Sequence, residues 1–252
     1  MFYLKIRSKN HTANGLRRVI RSTKRALLRL GSTTPTAVVF PYLRPGTEVL
    51  ELNSVDACQI SGNKTLMKQA FDEAQVTSSE WGPVNEEWDK FPAIIKHNHS
   101  SKGNGIYYIK DQEALRDWLG SHNPANHIIE KYYTYNREYR LHVTKDGYFY
   151  TCRKMLRRDA EERWHRHDNN SVWIVEENPQ FDKPTNWDAI VAECVKALNA
   201  VGLDIAAIDV KVQSANKGQD PKFIILETNS APSLGERTTE EYINKLTQIV
   251  NA

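Results

Sequence analysis

An α+β fold, preceded by a short basic α/β subdomain, is what this 252-residue sequence predicts. Three observations carry that expectation. Runs rich in β-branched and aromatic residues come in pairs joined by glycine-bearing polar turns, at 91–96 with 106–109, 139–145 with 148–154, and 208–212 with 224–230, the pattern of antiparallel hairpins. Two segments, 63–75 and 186–201, carry apolar residues at helical spacing and supply amphipathic helices to cover sheet faces. The first acidic residue is Glu48, so everything before it forms a separate cationic segment.

Ten Lys or Arg precede Glu48, and the rest of the chain carries 24 basic against 31 acidic residues, a net charge of −7. The leading segment is either a solvated basic face or a docking surface for a polyanionic partner, nucleic acid or an acidic peptide. Arg17, Arg18, Arg21, Lys24, Arg25 and Arg29 lack the interleaved aromatic residues of a base-stacking platform. A hydrophobic fraction of 40% and a charged fraction of 26% exclude disorder. With no apolar run long enough to cross a bilayer and no apolar core behind the basic N-terminus, a cytoplasmic protein without a membrane partner is expected. Cys58, Cys152 and Cys194 are odd in number and widely spaced, and read as reduced packing residues.

Residues 2–7 alternate like a strand, 15–23 read as a short helix, 26–30 as an apolar run, and 37–42 and 48–52 as strands around the Pro45-Gly46 turn, together a subdomain of residues 1–60. A helix then starts at the N-cap Asn63 and runs to about 75, burying Leu66, Met67, Ala70, Phe71 and Ala74. Lys64 stands in its first turn, where the helix dipole is already positive; a bound anion would relieve the conflict. Strand 91–96 ends in Lys96. The following loop, with Ser101, Gly103 and Gly105, returns into strand 106–109, so its tip can bring backbone N–H groups to phosphate oxygens. It matches neither a P-loop nor a dinucleotide fingerprint, and His97-Asn98-His99 is tightly spaced and has no supporting ligand cluster, which argues against a metal site.

A short helix is expected at 111–119, stopped by Gly120, followed by strands at 126–133, 139–145 and 148–154, the last two joined at Asp146-Gly147. Glu138 and Arg140 share a face, and Arg153 and Lys154 return positive charge to the same neighbourhood. Residues 157–171 are charged and irregular. His165 and His167 there are able to ligate a metal, but an arginine-bearing, phosphate-facing loop fits the passage better. The clearest helix, 186–201, is stopped by Gly202, and Thr238-Thr239-Glu240-Glu241 offers a capping box for a last helix ending near 250.

If the hairpin 208–230 is symmetric about Gly218, Asp209 faces Glu227, and the period of two puts Asn229 on the same side. Carboxylates so placed among apolar strands need a cation between them, and Mg²⁺ suits hard oxygen donors bridging to phosphate.

In this order, Asn63-Lys64, Phe91 to Lys96 with its Ser/Gly loop, Ile128-Ile129-Glu130-Lys131-Tyr132, Glu138-Tyr139-Arg140, Asp209 and Leu226-Glu227-Thr228-Asn229-Ser230-Ala231-Pro232 resemble the ATP-grasp superfamily. The resemblance is to the branch holding the ribosomal-protein glutamate ligase and related carboxylate–amine ligases. It implies two α+β lobes clamping ATP, 61–133 and 134–252. It implies that Lys64, Lys96, Ser101, Gly103 and Gly105 meet ATP phosphates, that Glu130, Lys131 and Tyr132 form the hinge receiving adenine, and that Glu138 lies near the ribose. Asp209, Glu227 and Asn229 would hold Mg²⁺, as a pair of ions that Mn²⁺ can replace. Arg140 would face the phosphates or the acceptor carboxylate, and Arg153 and Arg166 the transferring phosphoryl group. The implied reaction is an ATP-dependent carboxylate–amine ligation through an acylphosphate, releasing ADP and phosphate, with an amino acid or peptide among the substrates. The rivals are a kinase of the same fold with a hydroxyl acceptor, and a nucleic-acid-binding protein working through the basic N-terminus.

Overall fold

The computed structural model describes residues 4–6, 26–30, 48–100, 104–167, 169–214 and 219–251. The expected helix at 15–23, the strand at 37–42, the basic cluster from Arg17 to Arg25, and Ser101 and Gly103 lie outside them. Strands β1 (Leu4–Ile6), β2 (Ala26–Leu30) and β3 (Glu48–Leu52) form a parallel sheet in that order. Helix α1 (Val55–Gly62) follows, capped by the Ser54 hydroxyl, which accepts from Ala57 N–H at 3.2 Å. Helix α2 (Lys64–Glu73) starts behind Asn63, whose side chain accepts from Leu66 N–H at 3.2 Å.

Next come β4 (Trp81–Pro83), β5 (Ala93–His97), β6 (Ile106–Ile109), α3 (Gln112–Ser121) and β7 (His127–Lys131). The four strands make an antiparallel sheet ordered β4-β7-β5-β6. Ala93, Ile95, Ile109, Leu115, Trp118 and Ile129 close a small core between this sheet and α3. Helix α3 runs through Gly120 to Ser121 instead of stopping before it.

Strands β8 (Arg137–Thr144), β9 (Gly147–Leu156) and β10 (Ser171–Val175), helix α4 (Trp187–Ala200), strands β11 (Ile205–Val212) and β12 (Phe223–Asn229), and helix α5 (Glu236–Asn251) complete the described chain. The five strands are antiparallel in the order β10-β9-β8-β11-β12. Alternation separates the two faces of this sheet. One face sends Tyr139, Leu141, Val143, Ile208, Val210 and Ile225 against Ile190, Cys194 and Leu198 of α4 and against Met67 and Phe71 of α2. Burying a large apolar side chain contributes about 1.5–3 kcal/mol, so this cluster anchors the sheet and fixes its register. Its other face carries Glu138, Arg140, Asp209 and Lys211. Helix α5 starts at Glu236, ahead of the expected capping box: the Thr239 hydroxyl donates to the Gly235 carbonyl at 2.7 Å.

Candidate active site

The hairpin β11–β12 pairs Asp209 with Glu227 and Ala207 with Asn229, so the three oxygen-bearing side chains stand on one face. A bulge between Asp209 and Val210, on the turn side of the trio, changes the register there, so that Val210 faces Ile225 while Asp209 faces Glu227. On the other side of β11, Asp209 pairs with Arg140 of β8. The guanidinium grips the carboxylate in a fork, Nε to Oδ1 at 2.6 Å and Nη2 to Oδ2 at 2.7 Å. Burial raises the Asp209 carboxyl, but the Arg140 charge outweighs it and leaves Asp209 below its ordinary value. The Arg140 guanidinium lies 4.9 Å from the ring of Trp173, which stacks on its far side. Among the described residues, the Glu227 carboxylate has one hydrogen bond, from the Asn229 amide at 3.4 Å.

Opposite these acids stand the lysines of the smaller sheet and α2. Lys64 Nζ donates to the Ser100 carbonyl at 2.7 Å, and the Lys64 N–H and Thr65 hydroxyl bond Asn98 at 3.2 and 2.9 Å. Asn98 and Ser100 are thereby docked on the start of α2. Gly105 has φ +62°, and a Cβ there would meet His97 Cβ at 3.2 Å, so any other residue is strained and crowded. Lys96 Nζ pairs with Glu130 at 3.1 Å, while Lys68 donates to Ser79 at 2.8 Å and lies 3.7 Å from the same carboxylate. Burial would raise Glu130, but these two ammonium groups hold it at about 2. Burial lowers Lys68 to about 8. Burial also lowers Lys64 while Glu227 works against it. Lys96 ends up raised because Glu130 and Glu227 outweigh its burial. Glu227 therefore acts on both lysines across the space between the two sheets.

Glu138 and Lys211 extend the charged face. Burial raises Glu138 although Lys154, Arg166 and Lys211 oppose it, and Arg166 Nη1 lies 3.5 Å from its carboxylate. Lys154 donates to the Arg166 carbonyl at 2.9 Å. Burial pushes Lys211 down to about 8, with its ammonium 4.6 Å from the Tyr132 ring. The Lys131 and Tyr132 N–H groups donate to Glu80 O at 2.9 Å and Pro92 O at 2.8 Å, and the Tyr132 hydroxyl donates to the Trp164 carbonyl at 2.6 Å. A cavity of about 370 Å³ opens beside residues 130–132, with Tyr132, Asn136, Arg153, Lys154, Arg163 and Arg166 among its lining residues.

Thus Lys64, Lys96, Glu138, Arg140, Arg166, Asp209, Glu227 and Asn229 are brought to one cleft. Arg153 is not. It pairs with Tyr139 on β8, whose side chain lies in the opposite, helix-covered face, and its guanidinium bonds the carbonyls of Gln180 and Phe181 at 2.8 and 3.4 Å. Lys154, one residue on, takes the place expected of it, because neighbours on a strand point to opposite faces. The Glu130 side chain points into the smaller lobe to position lysines, and Lys131 pairs outward with Glu80 at 2.9 Å. Sequence reasoning missed Lys68 and Lys211; the second was signalled by its i+2 spacing from Asp209.

No protein-family model and no curated protein matches the chain in sequence. Solved structures do match in shape. A D-alanine–D-alanine ligase from Bacillus anthracis superposes at a TM-score of 0.61 with 12% identity, covering 96% of this chain and 85% of that one. The chain has the ATP-grasp fold. An ATP-grasp ligase, PsnB, solved with a minimal precursor, gives 0.57 at 14% identity over 89% of this chain and 78% of its own. Biotin carboxylase from Campylobacter jejuni gives 0.62 at 15% identity over 90% of this chain. The chain spans 54% of that biotin carboxylase and 53% of an Aspergillus clavatus N5-carboxyaminoimidazole synthase, about half the length of each. In ATP-grasp terms the four-stranded and five-stranded sheets are the two walls of the cleft. Among the described residues no helix is long and apolar enough to cross a membrane.

Proposed function

We propose that this chain is an ATP-dependent carboxylate–amine ligase, with residues 61–133 and 134–252 as the two lobes of its clamp. The observation that carries the reading is the opposition of Lys64 and Lys96 to Asp209 and Glu227, with Glu227 acting electrostatically on both lysines. Such a cleft matches a polyphosphate, which needs cations at its oxygens and metal ligands on one flank.

The donor set fits Mg²⁺: two carboxylates and an amide oxygen on one face, with the Glu227 carboxylate held only by Asn229 among the described residues. Asp209, Glu227 and Asn229 would hold the ion, and Arg140 leaves further lone pairs of Asp209 for it. When bound, Mg²⁺ neutralises charge on the transferring phosphate. Lys64 and Lys96 would hold the phosphates. The cavity beside Tyr132, with the connector 130–132, is sized for the base. Glu138 would lie near the ribose.

The acceptor carboxylate then attacks the γ-phosphorus as the bond to the β,γ-bridging oxygen breaks, giving ADP and an acylphosphate. Arg140 and Arg166 stand where charge builds on the transferring group. An amine nitrogen next attacks the acyl carbon, loses a proton and expels phosphate, leaving an amide. No side-chain nucleophile is required; positioning and charge do the work. Amino acids and peptides are the substrate classes to test first.

Hydroxylamine tests the reading. With Mg²⁺, ATP and pools of amino acids, a hydroxamate should form in step with ADP. ADP release into a phosphorylated hydroxyl compound, with no hydroxamate, would make the chain a kinase instead.

A further inference from the structure

The segment between β9 and β10 holds a cluster that the ligase reading does not use. Glu162, His165 and His167 each offer one donor atom, all within 4.8 Å of one another. The two imidazoles lie 4.9 Å apart, centroid to centroid, at 35°. His165 Nδ1 is buried with no hydrogen-bond partner among the described residues, and the nearest carboxylate oxygen, Glu162 Oε2, is 3.7 Å away. A buried polar atom left without a partner is unusual, and a small cation between these two groups would satisfy both.

The cluster is also built. One buried side chain, Asn170, fastens the backbone of all three residues: its amide donates to the Glu162 and His165 carbonyls, both at 3.1 Å, and its oxygen accepts from His167 N–H at 2.9 Å. The backbone that carries the donors is therefore fixed before any ion arrives, which lowers the cost of ordering them.

We propose that Glu162, His165 and His167 form a binding site for a divalent transition metal of the zinc type, separate from the magnesium ligands of the cleft. Two imidazoles and a carboxylate, with a fourth position left to water, are a donor set that zinc takes at about 2.0–2.2 Å, whereas Mg²⁺ prefers oxygen alone. The donors need side-chain rotation to close on the ion. Among the hydrogen bonds of the described residues, the ion displaces the 3.3 Å bond from Asn169 N–H to His167 Nδ1. The site's neighbours span the cleft. Trp164 accepts from the Tyr132 hydroxyl and lies 5.6 Å from the Tyr108 ring, and Arg166 reaches Glu138 of the other sheet. An ion here fixes the segment that joins the two walls.

The test is zinc binding to the untagged chain, followed by competition with a chromophoric chelator in excess magnesium so that the cleft ligands are occupied. The site predicts one equivalent bound at micromolar zinc. His165→Ala and His167→Ala should each weaken binding at least tenfold, Glu162→Gln should weaken it less, and Glu227→Gln should leave it unchanged. Unfolding curves in chelator should superpose for parent and variants, which separates a lost ligand from a lost fold. No uptake at micromolar zinc, unchanged binding in both histidine variants, or loss in Glu227→Gln would overturn the proposal. None of these outcomes depends on ligase turnover.

Discussion

Arg140 and Asp209, on adjacent strands of the larger sheet, are joined by two hydrogen bonds of 2.6 and 2.7 Å in a site where both are largely buried. The guanidinium does for Asp209 what a metal does in a loaded site: it offsets a carboxylate placed among apolar strands. Breaking a buried pair by removing one partner costs about 3–5 kcal/mol, because the remaining charge stays buried. Arg140→Ala should therefore lower stability by that order in the absence of metal. Magnesium should restore more of the melting temperature in the variant than it adds to the parent. Equal magnesium shifts in the two proteins would mean that Asp209 does not share its charge with an ion.

Gly105 gives a second, independent test. At φ +62° an alanine pays the left-handed penalty of about 1–2 kcal/mol, and its Cβ meets His97 at 3.2 Å. Gly105→Ala should lower stability by roughly that amount and raise the KM for ATP, since Gly105 packs against His97 and Ser100, and the Ser100 carbonyl holds Lys64. Calorimetry and steady-state kinetics check both; an unchanged KM would detach the loop from nucleotide binding.

Lys211 sets a pH dependence. Burial lowers it from 10.5 to about 8, so the folded state releases its proton before the unfolded chain does. A buried ammonium thus opposes folding below pH 8, and that opposition fades as the pH rises from about 8 to 10.5, by up to about 3 kcal/mol. Lys211→Met should be more stable than the parent at pH 7, with the difference shrinking across that window. Urea unfolding at several pH values measures it. A difference that stays constant with pH would place the Lys211 pKa at its ordinary value.

Much of this cleft was legible in the chain because its geometry is local. Asp209 and Glu227 belong to one hairpin, and counting from its turn aligned them; the bulge lies between the turn and the pair, where Val210 faces Ile225, and its extra residue, Leu226, brings Asp209 opposite Glu227. Arg140 was placed by its period-two relation to Glu138, but the same rule, left unapplied to Arg153 and Lys154, assigned the wrong neighbour to the cleft. What stayed hidden was contributed at long range or by weakly patterned segments. Nothing local marks Lys68 as buried, and the distant Glu130 and Ser79 are what make its burial tolerable. Helix α1 buries only Ala57, Cys58 and Ser61, so it lacks a continuous apolar face. Strand β4 is Trp-Gly-Pro, tolerated because it lies at a sheet edge. Strand β10 is also an edge and leaves Val172 and Trp173 half exposed.

The central claim is that Asp209, Glu227 and Asn229 face Lys64 and Lys96 so as to hold a metal-bound triphosphate. The most direct measurement is calorimetric titration of a non-hydrolysable ATP analogue, with and without magnesium, into the parent and into Glu227→Gln. The account predicts binding that magnesium strengthens in the parent, and at least a tenfold loss of that strengthening in the variant with its unfolding curve unchanged. Equal magnesium dependence in the two proteins would contradict it.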